Sequence, residues 1–383
     1  MYGGYKTYIK VIQMNIQRKE NWLNGANDFL METGVKEIAL AIIEKIFARR
    51  CLVEESGQEN CRYEDEVAPH LDTVMQAVSH QQPIVMILPA FPGKSPNRKK
   101  TLGHLPDYAE LYALDNLHEL CQEIRRVYQP GAVIGICSDG YVFSDVVRIP
   151  DRQVKAYTDM ISDYCTKKYP GMFFMYDLID TYPEIKHLDS LREELMIQYG
   201  TSLLALKKRV KEEPEAASMY KGVTRFLGED YGGMDEFAGV SNAQIQKVAR
   251  VAAYRVIQRS EAWSKHLEEK FPRAVRLSIH PQFRISKKIG IRLAPVKDRW
   301  RTPWHSVAVK RGADIYLEKR SNVDERDYHL IFKSGRPFHY VSTQINNIST
   351  QISNTSTHIS NTSTQINSVN TQINDASTQI KAE

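Results

Sequence analysis

The sequence predicts an α/β protein: a mostly parallel sheet between layers of helices, with a smaller α+β part towards the C-terminal side. Three observations predict it. The runs "PIVMILPA" (83–90), "AVIGIC" (132–137) and "GMFFMYDL" (171–178) are apolar nearly throughout, as strands buried on both faces must be. Stretches of helical period separate them, which makes the strands parallel and each crossover right-handed. Polar, Gly-containing segments follow the first two strands directly: "FPGKSPNRKK" (91–100) and "SDGYVFSD" (138–145). Both therefore belong on one rim, beyond the carboxyl ends of the strands, where such sheets hold ligands. This is a Rossmann-like arrangement.

The elements follow in chain order. Residues 26–50 read as a helix, with Leu30, Val35, Ile38, Ile42 and Ile46 on one face. A second helix lies around "HLDTVMQAVSHQ" (70–81) and a third is "YAELYALDNLHELCQEIRRVY" (108–128). "DRQVKAYTDMISDYCTKK" (151–168) is a helix that Asp151 is placed to cap. "LDSLREELMIQYGTSLLALKKRVKEE" (188–213) reads as one long helix, and 215–270 continue helical, most clearly at 242–263. Short strands then follow, "RAVRLSIHP", "IGIRLAP", "HSVAVKR" and "ADIYLEK", as antiparallel additions to the sheet or a small second lobe. The connection "VKDRWRTPWHS" (296–306) has the composition of a functional loop. Four regions result: a helical region 1–80, a Rossmann-like core 81–214, a helical and short-strand part 215–342 completing the site, and a tail 343–383. In the tail Ile recurs every seven residues at 345, 352, 359, 366, 373 and 380. Its Ser, Thr and Asn are poor helix formers and no charges flank the seam, so it reads as low-complexity sequence before coiled coil.

Composition narrows the function. With 42% hydrophobic and 25% charged residues, the 383-residue chain reads as soluble and globular. The net charge of +5 is spread along the chain, which does not point to nucleic acid. Five cysteines without C-x-x-C spacing indicate neither a disulfide framework nor a zinc knuckle, and suit a reducing cytoplasm. The N-terminus has no apolar signal core, and no run approaches the roughly eighteen apolar residues of a membrane span.

Candidate site residues cluster at strand ends. In the first loop Gly93 permits close backbone approach, Lys94 offers a point charge, and Ser95 and Asn97 offer hydrogen bonds to an oxyanion. Arg98, Lys99 and Lys100 read as mostly solvated. The spacing is not that of a P-loop. Asp107 faces the same rim, although Pro106-Asp107 also suits a helix cap. Asp139, directly after the second strand, is placed for a hydroxyl, an ammonium or a metal. Asp145 and Arg148 are spaced for a local ion pair. His280 and His305, with Arg299, Arg301 and Trp304, combine acid–base capacity with anion affinity. No carboxylate is spaced to complete a metal site with the two histidines. These residues describe an enzyme rim for a small anionic substrate without naming a reaction. A sugar-phosphate or nucleotide transferase, or an interaction protein built on the tail, stands beside it.

Four stretches carry a resemblance: "LPAFPGKSPNRKKTLGHLPDYAELYALDNLHELCQEI", "YQPGAVIGICSDGYVFSDVV", "SIHPQ" and "TPWH". In this order they resemble the isonitrile (isocyanide) synthases, also described as pyoverdine/dityrosine biosynthesis proteins, over roughly residues 25–340. The resemblance implies conversion of the α-amine of an aromatic L-amino acid, tyrosine before tryptophan, into an isonitrile. Ribulose 5-phosphate supplies the carbon from its ketone, in a lyase- or transferase-type condensation and fragmentation; fungal relatives form an N-formyl product. It implies no metal or redox cofactor, and an iron/2-oxoglutarate oxygenase acting next in the pathway. On this reading Lys94, Ser95 and Asn97 meet the phosphate or the carboxylate, and Asp107 shares their rim. Asp139 orients or deprotonates the amine, His280 and His305 move protons, and Arg299 or Arg301 holds an anion beside Trp304. The tail lies outside the pattern.

Overall fold

The computed structural model describes residues 33–53, 61–294 and 301–343. Five parallel strands form the main sheet in the order β3-β2-β1-β4-β5. They are β1 (Ile84–Leu88), β2 (Ala132–Cys137), β3 (Phe173–Tyr176), β4 (Val275–Ser278) and β5 (Lys288–Gly290). The three apolar runs are thus strands, and β1 sits at the centre. Met86, Leu88, Ile134 and Ile136 face one layer, made by α1 (33–47), α2 (Tyr63–Ser79), α3 (Tyr108–Val127) and α5 (Asp151–Lys168). Ile87, Cys137 and Tyr176 face the other, with α4 (Gly140–Val147), α6 (Leu188–Tyr199) and α9 (Asn242–Lys270). Burial on both faces is why these strands show no alternation.

α7 (Leu203–Glu212) and α8 (Pro214–Tyr231) complete the helices between β3 and β4. A second sheet, ordered β7-β6-β9-β8, contains β6 (Val307–Arg311), β7 (Asp314–Glu318), β8 (Tyr328–Lys333) and β9 (Arg336–Ser342). Only β6 and β9 run parallel in it. Among the described residues no helix is long and apolar enough to cross a membrane.

Several local expectations are corrected. β4 and β5 are not antiparallel additions; they extend the main sheet in parallel, so that sheet draws strands from both sides of residue 214. The single helix at 188–213 is two, because Gly200 ends α6 and the Ser202 hydroxyl caps α7 by accepting from Ala205 N at 3.1 Å. Most of the polar segment "SDGYVFSD" is helical, since α4 begins at Gly140. Asp151 does not cap α5. It is the first helical residue, and its carboxylate accepts from Ser144 Oγ (2.6 Å) and Arg192 Nη2 (2.7 Å). Asp145 pairs with Arg259 of α9, and Arg148 with Glu236 at 3.3 Å, so the local Asp145–Arg148 pair does not form. Residues 26–32 and the heptad repeat from 344 lie outside the described residues.

Candidate active site

The chain leaves β1 through two positive φ angles, 59° at Phe91 and 127° at Gly93. Strain of this kind gathers at functional sites. It turns the segment 94–101 inward, and Lys94, Ser95, Asn97, Lys100 and Thr101 are all buried. Ser95 N donates to Trp304 O (2.9 Å), in the short 3₁₀ turn Pro303–His305. Asn97 Nδ2 donates to Glu229 O (3.0 Å), near the end of α8. Gly233 permits that docking, since a Cβ there would stand 2.0 Å from Asn97 Oδ1. From the second strand, Gly140 presses on the same loop, where a Cβ would stand 2.2 Å from Pro92 O.

Two charged clusters lie behind this loop. In the first, the Lys94 ammonium sits 2.8 Å from Asp107 Oδ2, 3.0 Å from Glu110 Oε2, 3.0 Å from Pro303 O and 3.3 Å from Ser306 O. Its side chain is 0% exposed. Burial disfavours the charge, but Asp107 and Glu110 outweigh it and raise the Lys94 pKa. Two carboxylates share one ammonium, and burial together with the Asp107 charge raises Glu110. Tyr157 Oη donates to Glu110 Oε1 at 3.2 Å. In the second cluster Asp230, on α8, accepts from Lys100 Nζ (2.7 Å) and Ser95 Oγ (3.1 Å) and lies 3.7 Å from His305 Nε2. His305 Nδ1 is 3.0 Å from Thr302 Oγ1, and the ring meets Phe226 edge-on at 4.9 Å. Burial lowers the His305 pKa to about 4; Asp230 opposes this, and Lys100 and Lys94 reinforce it. The imidazole is therefore neutral at pH 7 and open to proton transfer in either direction.

Asp139 differs from these paired groups. It stands at the carboxyl end of β2 as the residue before α4, yet its side chain makes no cap bond. Its Oδ1 is buried without a hydrogen-bond partner among the described residues. Desolvation pushes its pKa up to about 7, where a general base works best. Asp177, after β3, is raised to about 6 by burial and caps the following turn by accepting from Ile179 N.

A cavity of about 370 Å³ opens beside the second cluster. Lys99, Lys100, Arg301 and Lys319 line it with Asn97, Glu229 and the glycines 228, 232 and 233. Arg301 pairs with Glu318, and Lys319 with Glu229.

The sequence-based candidates separate accordingly. Asp139 stands at the carboxyl end of β2, His305 in the turn that precedes β6, and Asn97 and Arg301 line the cavity. Lys94 is held inside the protein: four oxygens surround its ammonium, two of them carbonyls of the turn that carries His305. Ser95 is likewise committed to Asp230 and Asn97 N. Asp107 caps α3 by accepting from Ala109 N at 2.9 Å and pairs with Lys94. Trp304 is core, 2% exposed and 5.4 Å ring to ring from Phe91. Lys100, expected in solvent, is buried on Asp230. Arg98 and Lys99 are exposed as expected. His280 is exposed at the end of β4. Arg299 lies outside the described residues. Sequence reasoning missed Glu110, Tyr157, Lys319 and, above all, Asp230. The available signals were the three-residue spacing of Asp107 and Glu110, and the acid pair set among glycines in "GEDYGG" (228–233).

The profile of the pyoverdine/dityrosine biosynthesis proteins matches residues 74–331. The chain belongs to this family. An L-tryptophan isonitrile synthase, AmbI2, of Fischerella ambigua is 38% identical over 82% of this chain and 94% of its own length. An L-tyrosine isonitrile synthase of Pseudomonas aeruginosa is 42% identical over 68% of this chain and 79% of its own. The crystal structure of PvcA from Pseudomonas aeruginosa superposes with a TM-score of 0.71 at 36% identity, covering 79% of this chain and 99% of that one. In this member of the pyoverdine/dityrosine family, the matched span runs from α2 into β8. It contains both charged clusters, Asp139 and the whole cavity wall.

Proposed function

We propose that the chain is an isonitrile synthase acting on the α-amine of L-tyrosine, with L-tryptophan the alternative, and taking its carbon from the ketone of ribulose 5-phosphate. Support comes from membership of the family and from relatives whose names specify both amino acids at similar identity. One observation carries the chemistry: at the end of β2 the Asp139 carboxylate has one buried oxygen, Oδ1, without a hydrogen-bond partner among the described residues, and its pKa is near neutrality.

The amine must lose its proton to attack the ketone, and Asp139 is the base. Condensation releases water and leaves an imine; both carbon–carbon bonds of the former ketone carbon then break, one fragment leaving as an aldehyde after loss of its hydroxyl proton and leaving its electron pair on the isonitrile carbon, the other departing with the second electron pair and taking up a proton. His305, neutral and steered by Asp230 and Thr302, moves the later protons. Lys94 keeps the His305 turn in place and remains an ammonium. The five cysteines are unpaired, which suits a reducing cytoplasm. The product is a substrate for a later oxidation, for which an iron/2-oxoglutarate oxygenase fits.

The test incubates purified protein with ribulose 5-phosphate and either amino acid, without added metal, and follows products by mass spectrometry. One extra carbon on nitrogen, from one amino acid alone, is the expected result. An N-formyl product would reassign the outcome to the fungal type. No product from either amino acid would remove the reading.

A further inference from the structure

The cavity beside Asp230 has a wall whose chemistry no step above uses. We infer that it anchors the phosphate monoester of a small phosphorylated sugar, through Lys99, Lys100, Lys319 and Arg301; the identity of that sugar as the carbon donor rests on the function proposed above.

Charge is the first ground. Four cations and one carboxylate, Glu229, line the space. Asp230 and Glu318 stand behind it, paired with Lys100 and Arg301. Counting those two, four positive charges face three negative ones. Lys99 has no carboxylate partner among the described residues, although it is exposed and its neighbours on the loop are paired. A dianion bound here takes up that surplus and shares Lys319 with Glu229.

Polarity of the backbone is the second ground. The cavity abuts the carboxyl end of α8, where exposed carbonyls would repel an anion. Each of the last four is occupied: Gly228 O by Gly232 N, Glu229 O by Asn97 Nδ2, Asp230 O by Gly233 N and Tyr231 O by Met234 N, all at 3.0–3.1 Å. The helix end therefore presents no bare acceptor.

Size and placement are the third ground. A volume of about 370 Å³ suits a five-carbon sugar phosphate, at the small end of ligand pockets. Glu229, ionised because its pKa is lowered by Lys319 and Lys100 in spite of burial, accepts from a sugar hydroxyl. Lys100 links the wall to the reacting groups. It bonds Asp230 Oδ1 at 2.7 Å, and Asp230 Oδ2 lies 3.7 Å from His305. A phosphate held on Lys99 and Lys319 leaves the rest of the sugar to extend towards that histidine.

The test uses the full chain and two readouts. Inorganic phosphate is the probe for binding, by calorimetry at low and high salt. Ribulose 5-phosphate is the substrate for kinetics. Lys99→Gln and Lys319→Gln remove exposed or half-exposed cations and leave the buried pairs intact. Each is expected to weaken phosphate binding and raise KM for the sugar phosphate about tenfold, with kcat and the KM for the amino acid nearly unchanged. Lys167→Gln, on the outer face of α5, is the control and should change nothing. Phosphate that fails to bind, or that binds Lys99→Gln/Lys319→Gln as well as wild type, overturns the site. So does an unchanged KM for ribulose 5-phosphate in an active double variant, and in that case the proposed function stands. Phosphate bound and lost in the variants, without isonitrile formed by wild type, upholds the site and removes the function.

Discussion

Asp139 and Lys94 show how little a residue's type says about its work. Both stand just beyond strand ends, and both carry charge. Asp139 has an oxygen with no partner, so burial raises its pKa to about 7. In its proposed role as base it must be ionised, so kcat/KM should rise with pH along an acid limb centred near 7, and Asp139→Asn should abolish turnover. Stability runs the other way. The folded protein holds this proton at pH values where the unfolded chain, with a carboxyl near 3.8, has released it. That contribution is complete below pH 3.8 and is lost as pH rises through 7. At pH 8 Asp139→Asn should therefore be more stable than wild type, by on the order of 1–3 kcal/mol in denaturant melts. A variant that is inactive and also less stable at pH 8 would mean that the carboxylate has a structural partner. Lys94 is opposite in kind. Lys94→Ala strands two buried carboxylates and should destabilise by about 3–5 kcal/mol. Lys100→Glu sets a third acid beside Asp230 and Glu229 and should do comparable damage, whereas Lys99→Gln should leave the melting curve in place.

At the scale of elements, the rim depends on close approach between loops from different strands. Gly140, at the start of α4, lets the second strand's loop lie against Pro92 of the first. Gly140→Ala should push the two apart, lowering kcat and costing about 1–3 kcal/mol; unchanged turnover would show that the spacing of Asp139 from the first loop is not critical. The strands themselves were legible because burial on both faces writes itself as an unbroken apolar run. β8 and β9 were not. "YHLIFKSGRPFHYVS" mixes His, Arg and Lys into strands exposed on one side, and its turn signal is only the Ser334-Gly335 pair, with φ of 51° and 74°. The break between α6 and α7 was marked by Gly200 and Ser202, but the helical period on either side concealed it.

For the whole molecule, β9 ends at Ser342, and Thr343 N donates to Asp327 O at 2.9 Å. A chain cut after Thr343 keeps both sheets and the site. Truncation there should leave kcat, KM and thermal stability as they are, measured beside the full chain. A lost activity or a changed oligomeric state would give residues 344–383 a role that the rest of the fold does not predict.

The sequence by itself determined the layered α/β class, the polar segments that follow β1 and β2, and the family through its motifs. These are local properties: unbroken apolar runs, helical periods, and polar segments placed directly after strands. Only the tertiary structure decided which charges are paired in the interior and which stand without a partner among the described residues. Asp230 lies 135 residues from Ser95 and 130 from Lys100 in sequence, and Lys94 meets carbonyls more than 200 residues away. Partnership across such distances decides whether a cation faces solvent, braces a turn or lines a cavity. Burial without a partner, which raises the pKa of Asp139, likewise exists only once the chain has folded around it.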